Sequence, residues 1–163
     1  MTSEKTKYYD CVGIGLCAFD HLCLIDKYPH ADEKVSAIEY SRQGGGPVAT
    51  GMATLGKLGS DVAFVGRVGD DDEGGFVIRA LEGMGVDASR VEVRRGEKTA
   101  LAFCWVENGT GRRAIVLSME ALKPMTARDV RADTFPRGRF LLMDGRDIEA
   151  CLKAARLTRR WGG

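Results

Sequence analysis

Histidine is almost missing from this chain: only His21 and His30 occur among 163 residues. That leaves little material for histidine-based catalysis or a histidine-rich metal site. Five cysteines (Cys11, Cys17, Cys23, Cys104 and Cys151) form no C-x-x-C pair, which removes the usual zinc and redox motifs. Their odd number and scattered spacing suit buried thiols in a reducing cytosol, so the expected location is cytoplasmic. Neither sign of charge dominates, because 24 basic residues face 23 acidic ones. A nucleic acid or an anionic membrane surface would call for a basic excess, and neither is expected as a partner. No apolar run is long enough to span a bilayer, and Met1-Thr2-Ser3-Glu4-Lys5 opens no apolar stretch of signal-peptide type. What is present is an ordinary globular mixture, 44% hydrophobic and 29% charged, with length enough for one domain and a core.

Glycine is plentiful, and its placement is informative. The stretch Gln43-Gly44-Gly45-Gly46-Pro47-Val48-Ala49-Thr50-Gly51-Met52 reads as a sharp turn that opens a helix. Three glycines leave no side chain between backbone and ligand. Pro47 suits a first helical position, where its missing N–H would be unpaired anyway. Val48, Met52 and Leu55 share one helical face, and Gly59 stops the helix. A helix start without side chains offers free N–H groups to polar or anionic ligands. A tight turn before an ordinary packing helix has the same pattern.

Spacing distinguishes the two. Gly45-Gly46, Gly59 and Gly69, followed by Val68-Gly69-Asp70-Asp71-Asp72-Glu73-Gly74, resemble the first signature of the PfkB, or ribokinase-like, carbohydrate kinases and its V-G-D-D-x-x-G continuation. The chain departs from that pattern at Thr50, where the family often carries asparagine, and at Met52, where it carries a small residue.

The remaining segments read as an α/β chain. Tyr8 to Gly15 is a first strand, and Gly13-Ile14-Gly15-Leu16-Cys17-Ala18 gives a weak G-x-G-x-x-A fingerprint, which raises an NAD-binding oxidoreductase as an alternative. That fingerprint needs a following helix, whereas residues 20–29 look like a short strand bounded by Pro29. Val35 to Tyr40 is another short strand. Asp61 to Gly66 is apolar on both faces, as in a covered parallel sheet. A helix from about Asp72 carries the stripe Val77, Ala80, Leu81, Met84 and is closed by Gly83 and Gly85. The acidic run Asp70–Glu73 could be a magnesium site, but acidic residues also favour the positive end of a helix. Ala100–Val106 and Ala114–Leu117 form a hairpin around Asn108-Gly109-Thr110-Gly111, with Leu101, Phe103 and Trp105 on one face. Thr126 and Asp129 resemble a capping box that would start a short helix to Arg131. Phe140 to Gly145 is a buried-type strand, and Ile148, Cys151, Leu152 and Ala155 mark a helix from about Asp147 to Arg160. Arg156, Arg159 and Arg160 sit at its favourable C-terminal end.

The resemblance implies a ribokinase-like fold: three α/β/α layers around a mainly parallel sheet, plus a small β lid with strands within residues 21–40 and 98–118. It implies that residues 1–163 are an N-terminal portion, with the C-terminal half absent. It further implies ATP-dependent phosphorylation of a sugar or sugar-like hydroxyl. Asp20, Gly45, Gly46, Thr50 and Arg113 would bind the substrate. In the family the C-terminal half holds ATP and the catalytic aspartate, which lies in a G-A-G-D motif, and ATP and Mg2+ are expected for the complete kinase. That motif does not occur here, and Arg67-Val68-Gly69-Asp70 is the nearest string. The catalytic Asp is therefore expected beyond Gly163, and this chain alone is expected to be inactive and to bind no nucleotide or metal. The alternative of another class is a non-catalytic sugar-binding or dimerisation module, a homodimer through its lid strands.

Overall fold

Strands that are apolar on both faces need cover on both sides, and the computed structural model, which describes residues 7–119 and 121–163, supplies it with helices except along the edge strand Arg137–Met143, expected to be of buried type, where Phe140 stays 60% exposed. A parallel sheet has the order β5-β4-β1-β8, built from β1 (Tyr8–Ile14), β4 (Val62–Gly69), β5 (Val86–Arg94) and β8 (Arg137–Met143). α1 (Pro47–Lys57) and α2 (Asp72–Gly83) cover one face, where Val48, Met52, Val77 and Leu81 pack on Cys11, Val62 and Phe64. α3 (Ile148–Arg160) covers the other, with Ala150, Cys151, Ala154 and Leu157 against Val12, Ile14 and Ala63. The fold is the ribokinase-like α/β class that the sequence implies.

A second sheet, ordered β3-β2-β6-β7, is made from β2 (Ala18–Ile25), β3 (Ala37–Gly45), β6 (Leu101–Glu107) and β7 (Arg113–Ser118). Its central strands β2 and β6 run parallel, and each carries an antiparallel outer partner. Phe19 ties its base to α2 by an edge-on contact with Phe76, ring centroids 5.0 Å apart. The helix that a dinucleotide fingerprint requires after Gly15 is replaced by β2.

Several elements differ from the sequence reading. Gly44 and Gly45 are not in a turn: they end β3, and the turn narrows to Gly46. β5 has no counterpart in the sequence reading. A register irregularity opposite Ala63–Val65 puts an extra residue into β5, so its buried positions (Val86, Ala88, Val91) change parity midway. Thr126 to Arg131 forms turns instead of a helix. The capping-type bonds exist, since Asp129 accepts from Thr126 N at 2.7 Å, but the carboxylate is also held by Arg67 at 2.7 Å and the chain continues into the core through Val130 and Phe135. α3 is rotated from the expected stripe. Its alanines allow close approach to the sheet, so Ile148 and Leu152 stay outside at 64% and 53% exposure. On α2, Met84 lies past the buried turn and is also exposed.

Candidate functional site

β1 has parallel neighbours on both sides, β4 and β8, and after β1 the chain departs into the second sheet before returning through α1 to β4. In open α/β sheets such a switch point leaves a crevice beyond the carboxyl ends of the strands, where ligands bind. Here that crevice is bordered by the end of β1, the end of β8, the glycine corner and the base of the second sheet.

Gly46 makes the corner possible. Its φ of 99° is a left-handed conformation that favours glycine, and a Cβ there would lie 2.2 Å from the carbonyl oxygen of Leu16. Pro47 follows at the first helical position, and no side chain caps α1, whose first bond runs from Thr50 N to Gly46 O at 2.9 Å. The opening turn thus presents backbone donors at the crevice. Met52, unusual by resemblance, is fully buried over Gly13, where a Cβ would come within 2.4 Å of its Cγ. The larger side chain occupies space that the strand glycine leaves.

Asp20 rises from β2 onto the same corner. A Cβ on Gly45 would stand 2.1 Å from its Oδ2, so the carboxylate rests against bare backbone. Burial raises the Asp20 carboxyl above the usual range, with His21 opposing, and no hydrogen-bond donor contributes. It is a partly desolvated acceptor with no hydrogen-bond partner among the described residues, which suits a ligand hydroxyl.

The other expected site residues are placed differently. Thr50 is exposed one turn into α1, beside a groove of about 420 Å3 that it lines with Gly45, Ala53 and Val77 and that does not include Asp20. Gly45 is the residue the two locations share. Arg113 lies on the face of the second sheet that carries Asp20, but not near it. Asp20 is level with Ala102, and Ala102 with Leu117, four residues along β7 from Arg113, which amounts to roughly 13 Å. Cys104, on that face, is affected by the charges of both Asp20 and Arg113, although its thiol is raised mainly by burial. The structure therefore joins Asp20 to Gly45 and Gly46, sets Thr50 on the far side of Gly45, and leaves Arg113 at the distal end.

Asp144 borders the crevice and was not singled out by sequence reasoning. It follows β8 directly, its Oδ2 accepting from Leu16 N at 2.8 Å and its Oδ1 from Arg146 N at 3.0 Å. A polar residue at the carboxyl end of an apolar strand was the available signal. The acidic run is committed elsewhere. Asp71 caps α2 through Gly74 N at 3.0 Å and binds Thr99, while Asp70 accepts from Gly96 N at 2.9 Å. Burial works to raise the Asp71 carboxyl, but the Thr99 and Gly74 donors outweigh it and hold it below its ordinary value. Among the described residues no group of three or more His, Cys, Asp or Glu side chains is placed to hold a metal ion. Asp70 and Asp71, engaged in this way by backbone and hydroxyl donors, do not fit a Mg2+ site.

The profile of the "pfkB family carbohydrate kinase" matches residues 10–160. Mouse ketohexokinase is 27% identical over 140 residues, covering 86% of this chain and 47% of that protein. The 5-dehydro-2-deoxygluconokinase of Halalkalibacterium halodurans is 26% identical, covering 98% of this chain and 50% of its own length. The chain thus spans about half the length of the curated relatives it matches. Ribokinase of Arabidopsis thaliana, solved with ribose and ATP, shares the fold with a TM-score of 0.71 at 23% identity, over 96% of this chain and 52% of that one. With nearly its whole length matched, this chain belongs to the pfkB family of carbohydrate kinases.

Proposed function

We propose that this chain supplies the substrate-holding part of an ATP-dependent kinase that phosphorylates a hydroxyl of a sugar or sugar-like alcohol. The observation that carries the proposal is the Asp20 carboxylate, without a hydrogen-bond partner among the described residues, resting on Gly45 beside the uncapped start of α1. Asp20 accepts bonds from substrate hydroxyls. Gly45 and Gly46 let the ring approach the backbone, and Thr50 lines the adjoining groove on the other side of Gly45. The relatives named for kinase activity on ketohexose and on 5-dehydro-2-deoxygluconate support a polyhydroxylated substrate.

ATP and Mg2+ act in the complete kinase. We assign their binding, and the proton-accepting aspartate, to polypeptide outside these 163 residues, which contain no G-A-G-D segment. Phosphoryl transfer needs both positioning and charge neutralisation, so this chain alone transfers no phosphate. All five cysteines are free thiols, and no helix among the described residues is long and apolar enough to cross a membrane, which supports a reducing cytosolic setting.

A second reading has its own support. The face of the second sheet opposite Asp20 exposes Tyr40, Phe103, Trp105 and Val116, by 38% to 53%. A layer this apolar favours a homodimer through the lid strands, with or without catalysis. Purified chain is to be assayed with ATP, magnesium and a sugar panel, alongside sugar-dependent thermal stabilisation and sedimentation. The expected result is stabilisation by sugars, lost in an Asp20→Asn variant, without turnover. Turnover above an Asp20/Thr50 double variant would refute the division of labour, and stabilisation by no sugar would refute the substrate site.

A further inference from the structure

A cavity away from the Asp20 corner has the edge strand β5 as one wall. Opposite Ala63–Val65, β4 advances two residues while β5 advances three, so Ala63 pairs with Asp87 and Val65 with Arg90. An extra residue of this kind re-aims the side chains that follow it. Val86 and Ala88 belong to the core under α1 and α2, and beyond the irregularity Val91 joins them. Regular alternation would send Arg90 into that apolar layer. Instead Arg90 stands beside Val65 and, with Glu92, turns to the layer of α3. There the 125–136 segment and β5 border a cavity of about 310 Å3. Its floor is apolar: Met125 and Phe135, each 6% exposed, belong to the core under α3, and Val65 packs against it.

The charges around this cavity do not cancel. Glu92 and Asp129 are its acidic lining, and the buried guanidinium of Arg67 takes both, each at 2.7 Å. Glu92 also receives Arg94 at 2.7 Å, and Asp129 the N–H of Thr126 at 2.7 Å. Arg131 is held by Asp133 through two bonds, of 3.1 and 2.6 Å. Asp87, the next acid back along β5, accepts from the Tyr9 hydroxyl and from Ser89 N. Arg90 and Arg128 are left over. Both are exposed and line the cavity, and neither guanidinium has an ion pair or a hydrogen bond among the described residues. Two open guanidinium forks beside an apolar floor recognise an oxyanion carried on an apolar body. The volume is that of a small-molecule site.

We propose that this cavity binds a small organic phosphate or carboxylate, its anionic head on Arg90 and Arg128 and its apolar body over Val65, Met125 and Phe135. The cavity shares no residue with the Asp20 corner or with the groove beside Thr50, so this ligand is distinct from the sugar and binds whether or not a sugar does.

Phenyl phosphate and benzoate are the probes, with inorganic phosphate as the head alone and phenol as the body alone. Calorimetry on the full chain measures binding, and amide NMR shifts locate it. Phenyl phosphate or benzoate should bind about tenfold more tightly than either inorganic phosphate or phenol, and should lose affinity as salt is added. The amides of residues 65–66, 90–92 and 125–135 should move, and the tighter probe identifies the head group. Arg90→Gln and Arg128→Gln should each weaken that probe about tenfold, whereas Arg131→Gln, whose guanidinium Asp133 already holds, should change it by no more than about twofold. The salt titration and the shift map use the unmodified chain and need no variant to fold. The proposal is overturned if neither probe binds more tightly than inorganic phosphate, if the Arg90 and Arg128 substitutions both leave the affinity unchanged, or if the shifts fall on other residues.

Discussion

Asp20 and Gly45 touch across the β2–β3 hairpin at the point where the second sheet meets the crevice. The space a Cβ would occupy on Gly45 is filled by the Asp20 carboxylate, with Oδ2, Oδ1 and Cγ at 2.1, 2.2 and 2.3 Å from it. Gly45 is therefore a seat for a charged side chain. The arrangement keeps a half-desolvated carboxylate in one place with no hydrogen-bond donor among the described residues.

Gly45→Ala should displace that carboxylate while leaving the fold in place, because a side chain can rotate away where backbone cannot. Affinity for the stabilising sugar should fall roughly ten- to a hundredfold, the worth of a charge-assisted hydrogen bond. The thermal midpoint should move by no more than about 3 °C. Calorimetry and a melting curve read the two effects, and an unchanged affinity would remove Asp20 from the site.

Gly46→Ala should behave in the opposite way. Its left-handed backbone resists a side chain, and the atom in the way is the Leu16 carbonyl oxygen, which belongs to the β1–β2 connection. The combined strain should cost roughly 2–4 kcal/mol of unfolding free energy. Urea denaturation measures it. A loss below about 1 kcal/mol would mean that the corner relaxes freely.

Which of these features the sequence made legible follows from how locally each is encoded. Gly46-Pro47, the helix face of Val48 and Met52, and the two-sided strand 62–69 are written in adjacent residues, and they stand where the pattern puts them. Asp20 was legible through its place after the first strand, but its contact with Gly45 depends on hairpin register, which no local pattern fixes. β5 was hidden because its irregularity breaks the alternation that would reveal it. The turn at Thr126–Asp129 was misread as a helix because its capping residues also answer to Arg67, far away in sequence. The bond from Leu16 N to Asp144 forms only once β8 lies beside β1.

Arg67→Met tests that long-range control. The buried guanidinium pins β5 through Glu92 and the 122–131 segment through Asp129 and Pro124. Its removal leaves two carboxylates facing each other and a carbonyl without its donor. The expected loss is about 1–3 kcal/mol by urea denaturation, because Glu92 and Asp129 are partly exposed and Glu92 keeps Arg94. Adding Glu92→Gln and Asp129→Asn should restore part of it, because the stranded charges are then gone. No recovery in the triple variant would assign the loss to packing alone.

Acid should unfold the chain through Asp129 and two further carboxylates. Asp71, Asp87 and Asp129 are each pushed upward by burial, but hydrogen bonds from Thr99, Tyr9 and Thr126 respectively prevail and leave all three below the ordinary value. The native state therefore binds fewer protons than the unfolded one. The stability they contribute is complete above the unfolded value of about 3.9 and is lost as pH falls through the lower folded values. Denaturation midpoints should be nearly flat from pH 7 to pH 5 and drop steeply below about pH 4. A midpoint that holds constant to pH 3 would show that these bonds do not survive in solution.

Asp20 should show the reverse sign, because its carboxyl is raised instead of lowered. A raised folded value means that the native state holds the proton more tightly than the unfolded chain. The associated stability is present below the unfolded value and disappears as pH rises through the folded one. At pH 7 the ionised Asp20 thus weakens the fold that carries it. Asp20→Asn keeps the shape and removes the charge, so the variant should be more stable than the parent at pH 7, with the gap narrowing as pH approaches 4. Sugar-dependent stabilisation should vanish in the same variant. A residue that stabilises the fold when its charge is deleted and abolishes binding when it is lost is held there for its ligand. Equal stability of parent and variant across that range would instead make Asp20 a solvated strand residue with no burden to explain.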